Sequence, residues 1–416
     1  MSALTPARPF ELPGLRSSLT RGRVARAIVK QVVAGVPVRV VLPDGESWGA
    51  GDAHDPTVPV LEIRRPDAFF RRLEQHPKIG LGEAYMAGEW RVAPGTDLAQ
   101  ALIPFAARLA GLVPRPLLAV RGLVDRRLPE AERNTVDGAK ANIEAHYDLS
   151  NEMFATFLDP TMTYSSALFD MGSRFAEQSL EDAQVRKIDA VLDAGGVGAG
   201  SRVLEVGTGW GALAIRAAGR GAQVTSLTLS RAQREWAMTR VAEAGMQDLV
   251  DIRLQDYREV TGEFDAVVSV EMIEAVGEEY WPEYFTVLDR VLAPGGTVVI
   301  QAILMDHHRL LATRNSYGWI QKHIFPGGLI PSATAIREVL AEHTDLSIVQ
   351  TRHFGLHYAE TLHRWRLDFL AHQASESAPH ADETFTRMWE YYLAYCEAGF
   401  ATGYLDVAHL TLRSNP

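Results

Sequence analysis

One cysteine, Cys396, stands in a chain of 416 residues. No intramolecular disulfide and no thiol-rich metal site can be built from it, and no metal is expected. No run of about 18 apolar residues occurs, so a membrane-spanning helix is not expected. The opening stretch MSALTPARPFELPGL lacks the apolar core of a signal peptide, which points to the cytoplasm. Cations are the minority, 41 Lys and Arg against 52 Asp and Glu, for a formal charge of −11. That disfavours a general nucleic-acid binder, whose affinity comes mainly from neutralising phosphates. Internal repeats and low-complexity tracts are missing too. What remains is 47% hydrophobic and 22% charged, the composition of a folded protein long enough for two domains.

Residues 1–20 read as a loose Pro-rich arm. A small α+β unit follows. ARAIVKQVVAG has helical spacing, VPVRVVLPDG and VPVLEIRR read as strands, and PDAFFRRLEQHP offers Pro at a helix start. Residues 97–127 form an apolar segment whose strong cations are Arg108, Arg115, Arg121, Arg126 and Arg127. It reads equally as a surface for anionic lipid headgroups and as a helical linker.

From Ser201 onward strands and helices alternate as in a parallel α/β sheet. Strands are expected at 203–206, 223–229, 250–254, 264–270 and 297–303, with helices at 212–220, 231–244 and 282–292. Pro294-Gly295-Gly296 is expected to end the last of these helices. An aromatic-rich insertion interrupts the alternation at 304–332. Two helices, over HYAETLHRWRLDFLAHQ and from Glu383, and a final strand at YLDVAHLTL complete the chain.

Three stretches carry chemistry. The first is SRVLEVGTGWGA, a strand running into a turn with glycines at 207, 209 and 211 before a helix. Such a turn lets a nucleotide-type cofactor approach the main chain. An NAD site needs an acid at the end of the second strand, and here that strand ends Leu227-Thr228-Leu229-Ser230. A dinucleotide is therefore disfavoured. Glu205 before the turn and Asp256-Tyr257 after the third strand fit S-adenosylmethionine. The second is HYDLSNEMFATFLDPTMTYSSALF, whose hydroxyl-rich Thr161–Ser166 run reads as a loop able to close over a ligand. The third is VSVEMIEAVG, which puts Glu271 and Glu274 where the fourth strand leaves the sheet. A carboxylate there can act as a base or hold one. Glu271 reads as a helix cap or a solvated side chain, and Glu274 as the functional member.

HYDLSNEMFATFLDPTMTYSSA, LEVGTGWG, LTLSRAQ, SVEMIEAVG and IQKHIFPGG, with Ile330-Pro331-Ser332, together resemble the cyclopropane-fatty-acid synthase family. GLGEAYMAGEWRV extends the resemblance towards the amino terminus, so that it runs from about Arg21 to the end. It implies a Rossmann-like class I methyltransferase with a seven-stranded, mostly parallel sheet over 128–416. A smaller α+β lipid-engaging and dimerising domain is implied over 21–127. The reaction implied is methyl transfer from S-adenosylmethionine to the double bond of an unsaturated phospholipid acyl chain, at the inner face of the membrane. Carried over residue by residue, the resemblance places the cofactor against Tyr147, Tyr164, Ser165, Gly207, Gly209, Thr228, Leu229, Gln233 and Tyr257. It also implies a bound bicarbonate base, held by Ser166, Glu274, Gln301 and Tyr358 with the Ile303 backbone nearby. The family pattern has Cys in place of Ser166 and His in place of Gln301.

The chemistry asks for an aligned alkene, a dry pocket and aromatic faces around a carbocation, for which Tyr147, Phe154, Tyr164, Tyr317, Trp319 and Tyr358 are candidates. The stretch 301–332 resembles the branch-forming members of the tuberculostearic-acid pathway. These make 10-methylene-stearoyl chains, which a separate reductase saturates. A cyclopropane product and a soluble small-molecule acceptor are the alternatives.

Overall fold

A computed structural model describes residues 22–108, 150–375 and 382–415. The chain divides into two compact units, one comprising Met1–Asp125, Tyr317–Ile320 and Phe369–Thr402 and the other the rest. The second unit thus gives up the long helix Glu383–Ala401, which the sequence reading had kept within 128–416.

The first unit contains a sheet of four short strands, β1 (Arg39–Val41), β2 (Ser47–Trp48), β3 (Val60–Ile63) and β4 (Trp90–Val92), in the order β2-β1-β3-β4. Helices Pro66–Gln75 and Pro77–Met86 each begin with proline, whose missing N–H costs nothing at a helix start. Arg72 is buried between them, with Glu89 at 2.7 Å and Glu83 at 3.5 Å, so its charge is compensated. Helix Leu98–Ala106 buries Leu98, Ala99, Ala101 and Leu102. Arg108, just beyond it, donates to the Gly35 carbonyl. The other four arginines of the 97–127 segment lie outside the described residues. Trp319 packs edge-on against Tyr391 at 4.9 Å and is core in this unit rather than free for a substrate.

The second unit is built on seven strands: β5 (Arg202–Val206), β6 (Gln223–Thr228), β7 (Val250–Leu254), β8 (Phe264–Val270), β9 (Leu292–Met305), β10 (Leu346–His353) and β11 (Leu405–Ser414). Their order is β10-β11-β9-β8-β5-β6-β7, and only β11 runs antiparallel to its neighbours. Most expected elements fall within a residue or two of their place. The exception is Pro294-Gly295-Gly296. The preceding helix already ends at Arg290, and the tripeptide lies inside β9, next to a register shift opposite Phe264/Ala266. Gly296 is needed there because a Cβ would come within 2.9 Å of the Asp265 carbonyl. β9 also runs on to Met305, two residues into the expected insertion.

Side chains alternate across this sheet with period two. Leu204, Val267, Val298, Ile300, Leu410 and Leu412 face one core, with helices Trp281–Arg290 and Ala333–His343. Val203, Val224, Val268 and Val299 face the other, with helices Leu180–Ala194, Ala212–Gly219 and Arg231–Glu243. By the same alternation Glu205, Gln301 and His409 stand on the second face, as polar positions in an otherwise apolar layer. That layer is where the site is built.

Candidate active site

At the end of β5 the chain turns through Gly207, Gly209 and Gly211, with φ of 100°, 53° and 88°. These left-handed values suit glycine. The Gly207 and Thr208 amides both donate to the Leu227 carbonyl at 3.0 Å, which ties the turn to β6. A Cβ on Gly207 would meet Met272 Cγ at 2.7 Å, whereas one on Gly209 would meet nothing within 4 Å. The turn is therefore braced behind and open in front, as a cofactor approaching the backbone requires.

Glu205 does not reach into that opening. It is buried, with Ser226 Oγ 2.5 Å from its Oε2, and the same hydroxyl lies 2.7 Å from Thr208 Oγ1. Burial pushes its carboxyl up to about 8, opposed by Ser226 and by Lys187. Glu205 braces the turn. Beyond β6, Ser230 caps helix Arg231–Glu243 by accepting from the Gln233 amide, and its own amide donates to Thr228 Oγ1 at 3.1 Å. Thr228 Oγ1 in turn lies 3.1 Å from Gln233 Oε1, with Leu229 half-buried between. Asp256 has both carboxylate oxygens on Arg258, at 2.9 and 2.6 Å, and caps a short 3₁₀ turn. That turn presents Tyr257, whose ring meets Tyr284 edge-on at 5.6 Å. Gly207, Gly209, Thr228, Leu229, Gln233 and Tyr257 thus gather at the carboxyl ends of β5 to β7. Tyr147 lies outside the described residues.

The loop from Asp159 to Phe169 is pinned along its length. Arg240 donates to the Thr161 carbonyl at 2.7 Å, and Gln184 Nε2 donates to the Ser165 carbonyl at 2.9 Å. The Ala167 amide donates to Thr361 Oγ1 at 3.1 Å and the Phe169 amide to His357 Nδ1 at 2.9 Å. Tyr164 is set between Phe154 at 5.1 Å and Trp365 at 5.3 Å, while Phe154 itself is fully buried core. Ser165 Oγ accepts from Lys187 Nζ at 2.6 Å. Burial lowers the Lys187 ammonium to about 8, against the pull of Glu271, Asp159 and Glu205.

The two glutamates after β8 part company. Glu271 has φ of 52°, and its amide extends the ladder by donating to the Gln301 carbonyl at 2.8 Å. Its Oε1 accepts from the Ser166 amide at 2.9 Å and from Gln301 Nε2 at 2.7 Å, and its Oε2 accepts from the Tyr358 hydroxyl at 2.7 Å. Burial raises the Glu271 carboxyl, and these donors together with Lys187 act against the rise. Glu274 is different. Its Oε1 accepts from the Ile303 amide, and its Oε2 is buried without a partner among the described residues. Burial, and then the nearby Glu271, push it up to about 8. The two carboxyls thus sit in unequal surroundings. Burial raises both carboxyls, but Glu271 is offset by three hydrogen-bond donors and Lys187, whereas Glu274 is offset by backbone amides alone.

Ser166, Gln301 and Tyr358 therefore come together, but on Glu271, the glutamate read as a cap or a solvated side chain. Ser166 contributes its backbone amide, since its hydroxyl turns to the Ala167 carbonyl at 3.1 Å. The oxygen-for-sulfur difference from the family pattern leaves that donor untouched. Lys187 and His409 escaped the sequence reading altogether. Lys187 leaves a trace there, because it interrupts the apolar stripe Ala183, Val191 at helical spacing.

Residues 135–410 match the family model described as mycolic acid cyclopropane synthetase. The tuberculostearic acid methyltransferase UfaA1 of Mycobacterium tuberculosis is 50% identical over 392 residues, 94% of this chain and 90% of that protein. The cyclopropane-fatty-acyl-phospholipid synthase of Escherichia coli K12 is 34% identical over 356 residues, 84% of this chain and 87% of that protein. Among solved structures, the cyclopropane synthase MmaA2 from Mycobacterium tuberculosis superposes with a TM-score of 0.60 at 30% identity, over 66% of this chain and 97% of that one. The mycolic acid cyclopropane synthase CmaA1, complexed with SAH and CTAB, gives 0.59 at 31% identity, over 66% and 97%.

Proposed function

This chain belongs to the cyclopropane synthase family of S-adenosylmethionine-dependent methyltransferases, and we propose that it methylates the double bond of an oleoyl-type phospholipid acyl chain to give a 10-methylene branch. The branch, rather than a ring, is favoured by the 50% identity to a tuberculostearic acid methyltransferase across nearly the whole chain.

When bound, S-adenosylmethionine supplies an electrophilic methyl group. The open glycine turn at 207–209, with Ser165, Thr228, Gln233 and Tyr257 around it, orients the donor. The alkene π pair forms the new carbon–carbon bond while the carbon–sulfur bond breaks, which leaves a cation on the acyl chain. A hydride shift moves that cation to the carbon bearing the new methyl. Tyr164 and the ring of Tyr358 offer aromatic faces that steady it without reacting. A C–H bond of the new methyl then breaks. Its electron pair becomes the exocyclic double bond, and its proton goes to Glu271.

Glu271 carries this reading. A bound bicarbonate, which the family resemblance implies, would call on Ser166, Gln301 and Tyr358 beside Glu274, and Glu271 already takes the Ser166 amide, the Gln301 amide group and the Tyr358 hydroxyl. The ion does not fit beside it, so no step is assigned to it. Glu271 serves as the built-in base, a carboxyl raised by burial as a proton acceptor requires and oriented by its three donors. The methylene product calls for a reductase delivering a hydride and a proton. The basic segment 97–127 and the smaller unit bring the protein, as a homodimer, to an anionic membrane surface. No helix among the described residues is long and apolar enough to cross a membrane.

The test supplies purified protein with oleoyl phospholipid vesicles and methyl-labelled S-adenosylmethionine, and identifies the product by mass spectrometry and NMR. A 10-methylene chain is expected. A cyclopropane would overturn the product, and absence of methyl transfer would overturn the function.

A further inference from the structure

We propose that His409 is a positioning residue, which locks the Gln301 amide in the one orientation that donates to Glu271. The inference rests on the reading of Glu271 as the base and names the residue that keeps the base's hydrogen bonds in place. His409 and Gln301 are direct partners across the antiparallel β9–β11 pair, and both are buried.

Every polar atom of the Gln301 amide is used. Nε2 lies 2.7 Å from Glu271 Oε1 and 3.3 Å from the Ser166 carbonyl, and Oε1 lies 2.9 Å from His409 Nε2. A carboxylate and a carbonyl accept only from donors, so the NH₂ end must face them. The amide oxygen then faces His409, and His409 Nε2 must carry the hydrogen. Turned over, the amide would set its oxygen against the Glu271 carboxylate, oxygen to oxygen. It would also set that oxygen against the Ser166 carbonyl and force the His409 hydrogen from Nε2 to Nδ1. The imidazole is fixed in turn by Phe354, edge-on at 4.7 Å. It stays neutral, because burial with Lys187 and Arg352 nearby lowers it to about 3. Where the family pattern has a histidine at position 301, this chain has a glutamine there and an imidazole on the adjoining strand. The imidazole reaches the anion through the amide.

The experiment compares His409→Phe, which fills the volume without a donor, with His409→Gln, which restores an N–H. Each is made in the wild-type and Glu271→Gln backgrounds, with thermal melting to confirm folding. H409F is expected to lower kcat about tenfold, a usual size for coupling within one hydrogen-bonded network. KM for the lipid and for S-adenosylmethionine should stay within about twofold, and H409Q should recover most of the loss. In the E271Q background, H409F should cost nothing more. Independently of turnover, the Glu271 carboxylate is titrated by infrared difference spectroscopy against E271Q. H409F should move its midpoint up by about one pH unit, as expected when a hydrogen bond to a charged group is lost, and H409Q should move it back. Titrations and kcat that match wild type overturn the inference while leaving the proposed function intact. So does an H409F penalty that persists in full without Glu271. A shifted titration in a protein that transfers no methyl group would overturn the function and leave the positioning role standing.

Discussion

Glu271 and Glu274 are three residues apart, yet one is surrounded by donors and the other is half orphaned, and the difference predicts their variants. Glu271→Gln removes the base and is expected to lower kcat by at least about a hundredfold, the lower range for a positioned base. Glu274→Gln imitates a protonated carboxyl, keeps an oxygen for the Ile303 amide, and should stay within about tenfold near neutral pH. Single-turnover rates of both variants at saturating donor decide this, and the reverse ranking would hand the base role to Glu274. The sequence VSVEMIEAVG displayed both acids at the carboxyl end of a strand, where a ligand was expected. It could not display the left-handed backbone at Glu271, whose side chain meets Ser166, Gln301 and Tyr358. Non-glycine residues rarely adopt that conformation, and no side-chain pattern announces it.

At the level of elements, β5 to β8 were legible because each is a short strand-like run bounded by turn residues. Pro294-Gly295-Gly296 was misread because a helix stop and an irregular strand entry call for the same residues. Pairing between distant strands was also hidden, which is why His409 opposite Gln301 went unseen. Glu205 shows what such pairing does. In register opposite Ser226, it ties β5 to β6 and to the glycine turn. It keeps its proton up to about pH 8, while the unfolded chain releases it near the ordinary value of 4.5. The folded state therefore binds a proton the unfolded state has lost, and stability falls as pH rises through that window. Glu274 acts in the same direction. Glu205→Gln, neutral throughout, should lose less stability than wild type between pH 5 and pH 8. Urea midpoints at the two pH values measure it, and equal declines would remove Glu205 as a cause.

On the scale of the whole molecule, composition indicated more than one domain, but not that the chain would return to the first unit with Phe369–Thr402. Contacts between segments that far apart in sequence leave no local pattern. The family motifs, by contrast, are local, and they carried the cofactor class and the reaction. How the protein meets its substrate is a question for the intact chain. It should bind anionic vesicles containing oleoyl lipid, and reversing charge at Arg121, Arg126 and Arg127 should weaken that binding while leaving S-adenosylmethionine affinity unchanged. Sedimentation with vesicles and calorimetry read the two quantities, and undiminished vesicle binding would remove the basic segment from the interaction.

The left-handed backbone at Glu271 costs on the order of 1 kcal/mol or more, and on the proposed role of Glu271 as base it would secure a form of metabolic independence. A base borrowed from solution ties turnover to dissolved carbon dioxide and to the cell's carbonate equilibrium. A base attached to the chain does not. With Glu271 as base, methylation should then run at the same rate in a vented culture as in a sealed one.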